Sequence, residues 1–322
     1  MRLRARGFRH QIEISNMRIS VVVTTYNRRN LISRALDSIF SQERAADEVL
    51  VIDDYSSDGT QDFIQNKFPQ VKIIRHTKNR GPSVGRNTGL TNATGDFVAF
   101  LDDDDQLLED ALSNIQRCIS QLDNHLRYPV FQFAHSNGRS NDSFCMVSMK
   151  DFCNGSIQGD FLPVINRELF LNECLAYPDL RCGGENILWW EVADRWKIPT
   201  WDVVVSQVND DATVRLTSAD NQLLRASEYA DLQERIISQF GERLGQIDPL
   251  LLRTRHLGAA VYWLLSGKIN NVVPHRRWLK QNGFSPSSML VSTLGRLPTP
   301  ILQKLFSWYQ QRQVKRYEKE SA

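Results

Sequence analysis

The sequence predicts an α/β fold: a doubly wound, mostly parallel sheet in the N-terminal half, followed by a helical C-terminal region. Two observations carry this. Between residues 18 and 122, short β-branched runs alternate with stretches at helical spacing. That is the pattern of strands buried on both faces by the helices that connect them. From Ser218 onward only helical signals remain, punctuated by Gly241, Gly267 and Gly283. The expected division is a disordered extension over 1–16, the α/β domain over 17–215 and the helical region over 216–322.

Each element has its own signal. Residues 18–24 are almost wholly apolar and suit a central parallel strand. Asn30 can cap a helix in which Leu31, Ala35, Leu36 and Ile39 keep helical spacing. Residues 48–52 form the second strand, ending at Asp53 and Asp54, and Ser56 to Gly59 supply turn and cap chemistry for a helix through Phe68. The third strand is 71–75. Gly81 and Pro82 then open a helix with proline at its favoured first position. The run 96–101 is the fourth strand, and a helix near 107–122 closes the unit. Residues 123–182 read as an excursion of short strands and loops. Helices are expected over 219–240, 249–265, 274–281 and 300–318.

Composition excludes more than it assigns. The net charge of +2 points to no partner, although Asp crowds 47–62 and 96–110 while Lys and Arg crowd the last thirty residues. The five cysteines are odd in number and form no CxxC pair, which argues against a disulfide framework or zinc site and for a reducing, cytoplasmic compartment. No stretch reaches the roughly 20 apolar residues of a membrane span. Residues 1–16 carry Arg2, Arg4, Arg6 and Arg9 without an apolar core, so they do not read as a secretory signal. No nucleic-acid-binding motif accompanies the basic charge. His256 and His275 read as surface or packing residues rather than metal ligands.

Four consecutive carboxylates, Asp102 to Asp105, stand directly behind the fourth strand. Ligands in open α/β sheets bind just outside the carboxyl ends of the strands. Adjacent like charges repel, so such a cluster calls for a cation; the other reading is a solvated acidic turn opening the next helix. Thr24, Thr25, Tyr26 and Asn27 follow the first strand, where exposed hydroxyls and a ring can hold a base, or form a polar loop with a packed Tyr. Asp53 and Asp54 can accept from a nucleobase or ribose, or cap residues 56–60. Residues 79–89 combine spaced glycines with Arg80 and Arg86 but match neither the P-loop nor GxGxxG. Arg86 can still meet a phosphate with its guanidinium fork, or lie solvated on a helix.

Residues 25–28, 51–60, 79–89 and 95–105, in this order and spacing, resemble the family 2 glycosyltransferases of the GT-A fold. The resemblance is strong over 17–122 and weaker to 215. It implies a bacterial polysaccharide-synthesis enzyme that uses a nucleotide-sugar donor, UDP by default, with Mn²⁺ or Mg²⁺ and with inversion at the anomeric carbon. The implied acceptor is a hydroxyl on a glycan or lipid-linked glycan, approached past the wall formed by 123–182. Carried over by motif, Thr25, Tyr26, Asp53 and Asp54 line the base and ribose pocket, and Arg86 faces the donor. Asp102 and Asp104 match the DxD motif, with Asp104 the metal ligand and Asp102 nearer ribose or sugar. Asp103 lies within the same donor-binding run, because four Asp in a row leave the register open by one.

The general base of family members is commonly the Asp of a Glu-Asp pair; here the matching pair is Glu185 and Asn186. Asn186 cannot act as a carboxylate, so Glu185 inherits the role, or both residues merely cap a helix. Many members also carry a His after the strand 201–205, where this chain has Asn209 and Asp210. The departures sustain a rival reading, a catalytically weak or inactive GT-A binding or scaffold protein. A nucleotidyltransferase is a further rival, disfavoured because no glycine-rich basic loop follows the first strand. Residues 300–319 combine Ile301, Leu302, Leu305, Phe306, Trp308 and Tyr309 with Arg312, Lys315, Arg316 and Lys319. This suits a peripheral helix on an anionic membrane face, or a packed helix with a basic tail.

Overall fold

A computed structural model describes residues 17–140, 142–209 and 218–320. The extension expected over 1–16, the domain boundary at 215 and Asp210 lie outside the described residues.

In the first half the elements run β1 (Ile19–Thr25), α1 (Ile32–Phe40), β2 (Glu48–Asp53), α2 (Thr60–Lys67), β3 (Lys72–Arg75), α3 (Pro82–Asn92), β4 (Phe97–Asp102), β5 (Gln106–Leu107) and α4 (Ala111–Gln121). Strands β3, β2, β1 and β4 are neighbours in that order and all parallel, with Val22 opposite both Leu50 and Phe100. Because strand side chains alternate, Val21 and Val23 face one layer, with Leu36, Ile39 and Ile115, while Val22 faces the other, with Leu90, Tyr177 and Leu188. Both layers are filled, which explains why the middle positions of β1, β2 and β4 are apolar, whereas β3, at the sheet edge, keeps Lys72 and Arg75 exposed. Helix α3 lies unusually close to β1: a Cβ on Gly89 would fall 2.4 Å from Val22 Cγ1. The expected Asn30 cap does not form; Arg28 O accepts from the N–H groups of Leu31 and Ile32 instead.

The segment 123–182 is more regular than its composition suggests. It contributes β6 (Val130–His135), β7 (Arg139–Ser140), β8 (Phe144–Val147), α5 (Met149–Asn154), β9 (Ile157–Gln158), β10 (Phe161–Asn166) and α6 (Arg167–Asn172). Beyond it come α7 (Glu185–Arg195) and β11 (Ile198–Gln207). Strands β10, β6, β11 and β5 extend the main sheet from β4, and β8 pairs with β11. Strand β10 is antiparallel to both β4 and β6, so the sheet is parallel on one flank and mixed on the other. Pro163 sits inside β10, opposite Gln132, a place where proline's missing N–H is unusual.

The C-terminal helices are α8 (Ala219–Leu224), α9 (Ala226–Ile247), α10 (Pro249–Leu265), α11 (Val272–Gln281), α12 (Ser285–Leu294) and α13 (Thr299–Glu320). Gly241 does not break α9; the turn comes at Asp248, whose carboxylate accepts from the Leu250 N–H just after Pro249. Trp263, Leu264, Leu279, Val291 and Leu302 form the core of this region. A separate cluster joins it to the sheet domain, with Ile187 and Trp190 of α7 packed against Leu232, Ile236 and Phe240 of α9. A polar network is buried here too. His256 Nδ1 lies 3.0 Å from His275 Nδ1, His275 Nε2 lies 2.8 Å from Glu234, and Trp278 stacks on His256. Burial, then the neighbouring His275, pushes His256 down to about 4. Both histidines pack inside the helical region, as packing residues. Among the described residues, no helix is long and apolar enough to cross a membrane. Helix α13 leaves Ile301, Leu305, Trp308 and Tyr309 exposed.

Candidate active site

A cleft of about 800 Å³ opens at the carboxyl ends of β1, β2 and β4. β1 delivers Thr25 and Tyr26 to it. Thr25 is buried and donates to Asp103 Oδ2 at 2.6 Å, whereas the Tyr26 ring is exposed on the cleft wall. Asp54 also lines the cleft. It accepts from the N–H groups of Arg80 (2.8 Å) and Gly81 (2.6 Å) and pairs with His76 Nδ1 at 2.7 Å. The other face of His76 meets Thr88 Oγ1, so Asp54 ties β2 to the start of α3.

Asp53 is placed differently from its expected role in the base pocket. Its side chain is fully buried and is not part of the cleft lining; Oδ1 accepts from the Ser56 N–H, and Oδ2 lies 3.4 Å from Arg75 Nε. Consecutive residues at a strand end point to opposite sides, so Asp53 and Asp54 cannot both face the ligand.

The four-Asp run divides in the same way. Carboxylate oxygens of Asp102, Asp104 and Asp105 lie within 4.8 Å of one another, while Asp103 turns away beneath Thr25. Arg28 Nη1 contacts Asp104 at 2.8 Å and Asp103 at 3.6 Å. Asp105 accepts from the Asn209 N–H at 3.1 Å, and Asn209 Nδ2 donates to Asp104 O at 3.0 Å. Burial pushes both Asp103 and Asp105 up to about 7, against the pull of Arg28 on the first and of the Asn209 N–H on the second. Burial also disfavours ionised Asp102, but Arg86, with His135 and Arg28, outweighs it and holds that carboxylate below its usual range. Three converging carboxylates, all hard oxygen donors, fit a divalent cation such as Mg²⁺ or Mn²⁺.

Arg86, buried on α3, bridges Asp102 Oδ1 at 2.7 Å and Glu185 Oε1. Glu185 opens α7 directly after Gly183 and Gly184, whose φ angles of +92° and +100° let the chain turn sharply into the cleft. Burial raises the Glu185 pKa, opposed by Arg86. Asn186 lines a smaller chamber of about 250 Å³ behind this row. The site thus brings Thr25, Tyr26, Asp54, Arg86, Asp102 to Asp105 and Glu185 to one cleft and leaves Asp53 beneath it. Sequence reasoning missed Asp105 as part of the converging trio, as well as Arg28, His76 and His135. It also missed Asn221 and Arg225, which reach the cleft from the helical region. Nothing local in the sequence marks the last two, because their place depends on how α8 and α9 pack.

Residues 20–141 match the model of Glycosyl transferase family 2. The chain is 32% identical over 182 residues to the GalNAc(5)-diNAcBac-PP-undecaprenol beta-1,3-glucosyltransferase of Campylobacter jejuni, covering 53% of this chain and 58% of that protein. It is 38% identical over 187 residues to the succinoglycan biosynthesis protein ExoO of Rhizobium meliloti, covering 53% and 54%. It therefore spans little more than half the length of these curated relatives. Among solved structures, S. aureus TarS in complex with UDP-GlcNAc superposes with a TM-score of 0.56 at 19% identity over 92% of both chains, a likeness of fold.

Proposed function

Because this chain belongs to the family 2 glycosyltransferases of the GT-A fold, we propose that it moves a sugar from a nucleoside-diphosphate donor to a hydroxyl of a glycan or lipid-linked glycan, with inversion. One observation carries the reading: the convergent carboxylates and Glu185 share one cleft and are joined through Arg86. Thr25, Tyr26 and Asp54 hold base and ribose, with Asp53 supporting them by fixing the turn at Ser56. Asp102, Asp104 and Asp105 hold Mn²⁺ or Mg²⁺, with Asp103 steadying the run from below through Thr25. Held by those carboxylates, such a cation would supply positive charge against the negative charge growing on the departing nucleoside diphosphate. Glu185 takes the proton from the acceptor hydroxyl as it attacks, and Arg86 keeps that carboxylate aimed while facing the donor.

UDP is the first nucleotide to test, since TarS was solved with UDP-GlcNAc. The name of the C. jejuni relative motivates an undecaprenol-linked acceptor. The exposed apolar stripe of α13 suits docking on the cytoplasmic face of an anionic membrane. The test is thermal unfolding with UDP, GDP, dTDP, ADP and CMP, each with and without Mn²⁺. Ligand at 100 times its Kd adds about 2.7 kcal/mol, which moves the midpoint by several degrees. A metal-dependent shift with one nucleotide is expected, and no shift with any overturns the reading. Asn186 favours a second reading, a binding protein that has lost its base. Asn186→Asp separates the two: a large gain in transfer marks decay, and a loss marks Asn186 as adapted to the present reaction.

A further inference from the structure

Tyr177 lines neither the cleft nor the chamber of about 250 Å³ behind it, yet it packs against the walls of that chamber from outside. The side chain is 2% exposed, and its ring meets three residues that do line the chamber. The Arg86 guanidinium lies 5.6 Å from the ring centroid. The Phe100 and Trp189 rings meet it edge to face, each at a centroid distance of 5.6 Å. These neighbours come from three different elements. Arg86 is on α3, Phe100 stands two residues before Asp102 on β4, and Trp189 lies one helical turn after Glu185 on α7. A single buried ring therefore touches each of the elements that carry Arg86, Asp102 and Glu185. The phenol hydroxyl makes no hydrogen bond among the described residues. A hydroxyl buried without a partner costs stability, so the contacts that favour a side chain here are those of the ring.

The backbone of Tyr177 is fixed to α3 as well. Its N–H donates to Asn87 Oδ1 at 2.9 Å, and its carbonyl accepts from Asn87 Nδ2 at 2.8 Å. Farther along the same segment, Arg181 donates to Asn79 Oδ1 at 2.7 Å, and a Cβ at Gly81 would lie 3.4 Å from Arg181 Cα. The chain is thus tied to α3 and the loop before it at two places before it turns at Gly183 and Gly184 into Glu185. A cation over an aromatic face is attracted to it, and close-packed rings resist displacement. Resting on the glycosyltransferase reading above, we infer that Tyr177, held by Asn87, is a positioning residue that sets the spacing of Arg86, Asp102 and Glu185 for the transfer step. It does so without touching substrate. An offset of about 1 Å in such a constellation can cost about 100-fold in rate.

The test measures two quantities with Mn²⁺ for wild type, Tyr177→Leu, Tyr177→Phe and Asn87→Asp. One is the Kd of UDP and of GDP. The other is kcat for nucleotide release from UDP-glucose, UDP-galactose, UDP-GlcNAc and GDP-mannose, with water as the acceptor. Tyr177→Leu removes the ring and should lower kcat about tenfold or more, with the nucleotide Kd within about twofold of wild type. Full binding stoichiometry at that Kd also reports that the variant is folded. Tyr177→Phe keeps the ring and loses only the unpartnered hydroxyl, so its kcat should stay within about twofold of wild type. Asn87→Asp cannot donate to the Tyr177 carbonyl and should show the same split as Tyr177→Leu. It carries the test should Tyr177→Leu not fold. A kcat that matches wild type in these two variants, or falls only in step with the bound fraction, overturns the assignment and leaves the transferase reading intact. A Tyr177→Phe as slow as Tyr177→Leu overturns it equally. Failure of wild type to bind any nucleotide, or to release one from any donor, overturns both.

Discussion

Glu185 has to be ionised to accept a proton, yet burial raises its pKa and Arg86 opposes that rise. Glu185→Gln preserves shape and removes only the basicity. It should lower kcat by about 100-fold or more while leaving nucleotide affinity nearly unchanged; an unaltered rate would assign the proton to another group. Asp104→Asn, which removes the charge of one of three converging carboxylates, should abolish the Mn²⁺-dependent part of the nucleotide-induced thermal shift and leave any metal-independent part. At this scale the sequence located the acidic run and Glu185 but not the division of labour within the run. That division depends on Thr25, 78 positions upstream, which pulls Asp103 out of the cluster. The displacement of Asp53 was legible in principle, since alternation at a strand end already forbids both Asp53 and Asp54 from facing one ligand.

Among elements, α3 and α9 show how the same residue type does opposite things. Gly89 on α3 has no room for a methyl group beside Val22, and Gly89→Ala should cost about 1–3 kcal/mol, read from the urea midpoint. Gly241 lies mid-helix on α9 with its nearest neighbour 3.8 Å from the Cβ position. Gly241→Ala should therefore stabilise by about 0.5–1 kcal/mol in the same assay. Spacing alone could not tell these glycines apart, which is why Gly241 reads from sequence as a break. The parallel strands β1, β2 and β4 were legible because burial on both faces makes their middle positions continuously apolar. Strands β6 and β10 were not, because Gln132 and Pro163 interrupt their patterns and only their cross-sheet pairing explains both. On α13, Leu305→Ser with Trp308→Ser should lower co-sedimentation with phosphatidylglycerol vesicles several-fold, with no change for neutral vesicles; equal sedimentation of both proteins would rule out the membrane role.

Considered whole, the molecule should lose stability in mild acid through its helical region. His256 titrates near 4 in the fold against about 6.5 unfolded, so the unfolded chain binds the extra proton first. The stability this provides is complete above about pH 6.5 and is lost as pH falls toward 4, amounting to about 3 kcal/mol. Denaturant unfolding at pH 7.5 and pH 5 checks the sign, and His256→Gln should reduce the slope. His275 and Glu234 face the same ring, and Trp278 covers it.

Helix α7 presents Glu185 to the cleft at one end while Ile187 and Trp190 seat against α9. Any chimera that trades the C-terminal helices between relatives at residue 215 would cut through that seat and take away the surface on which two apolar side chains next to Glu185 are packed.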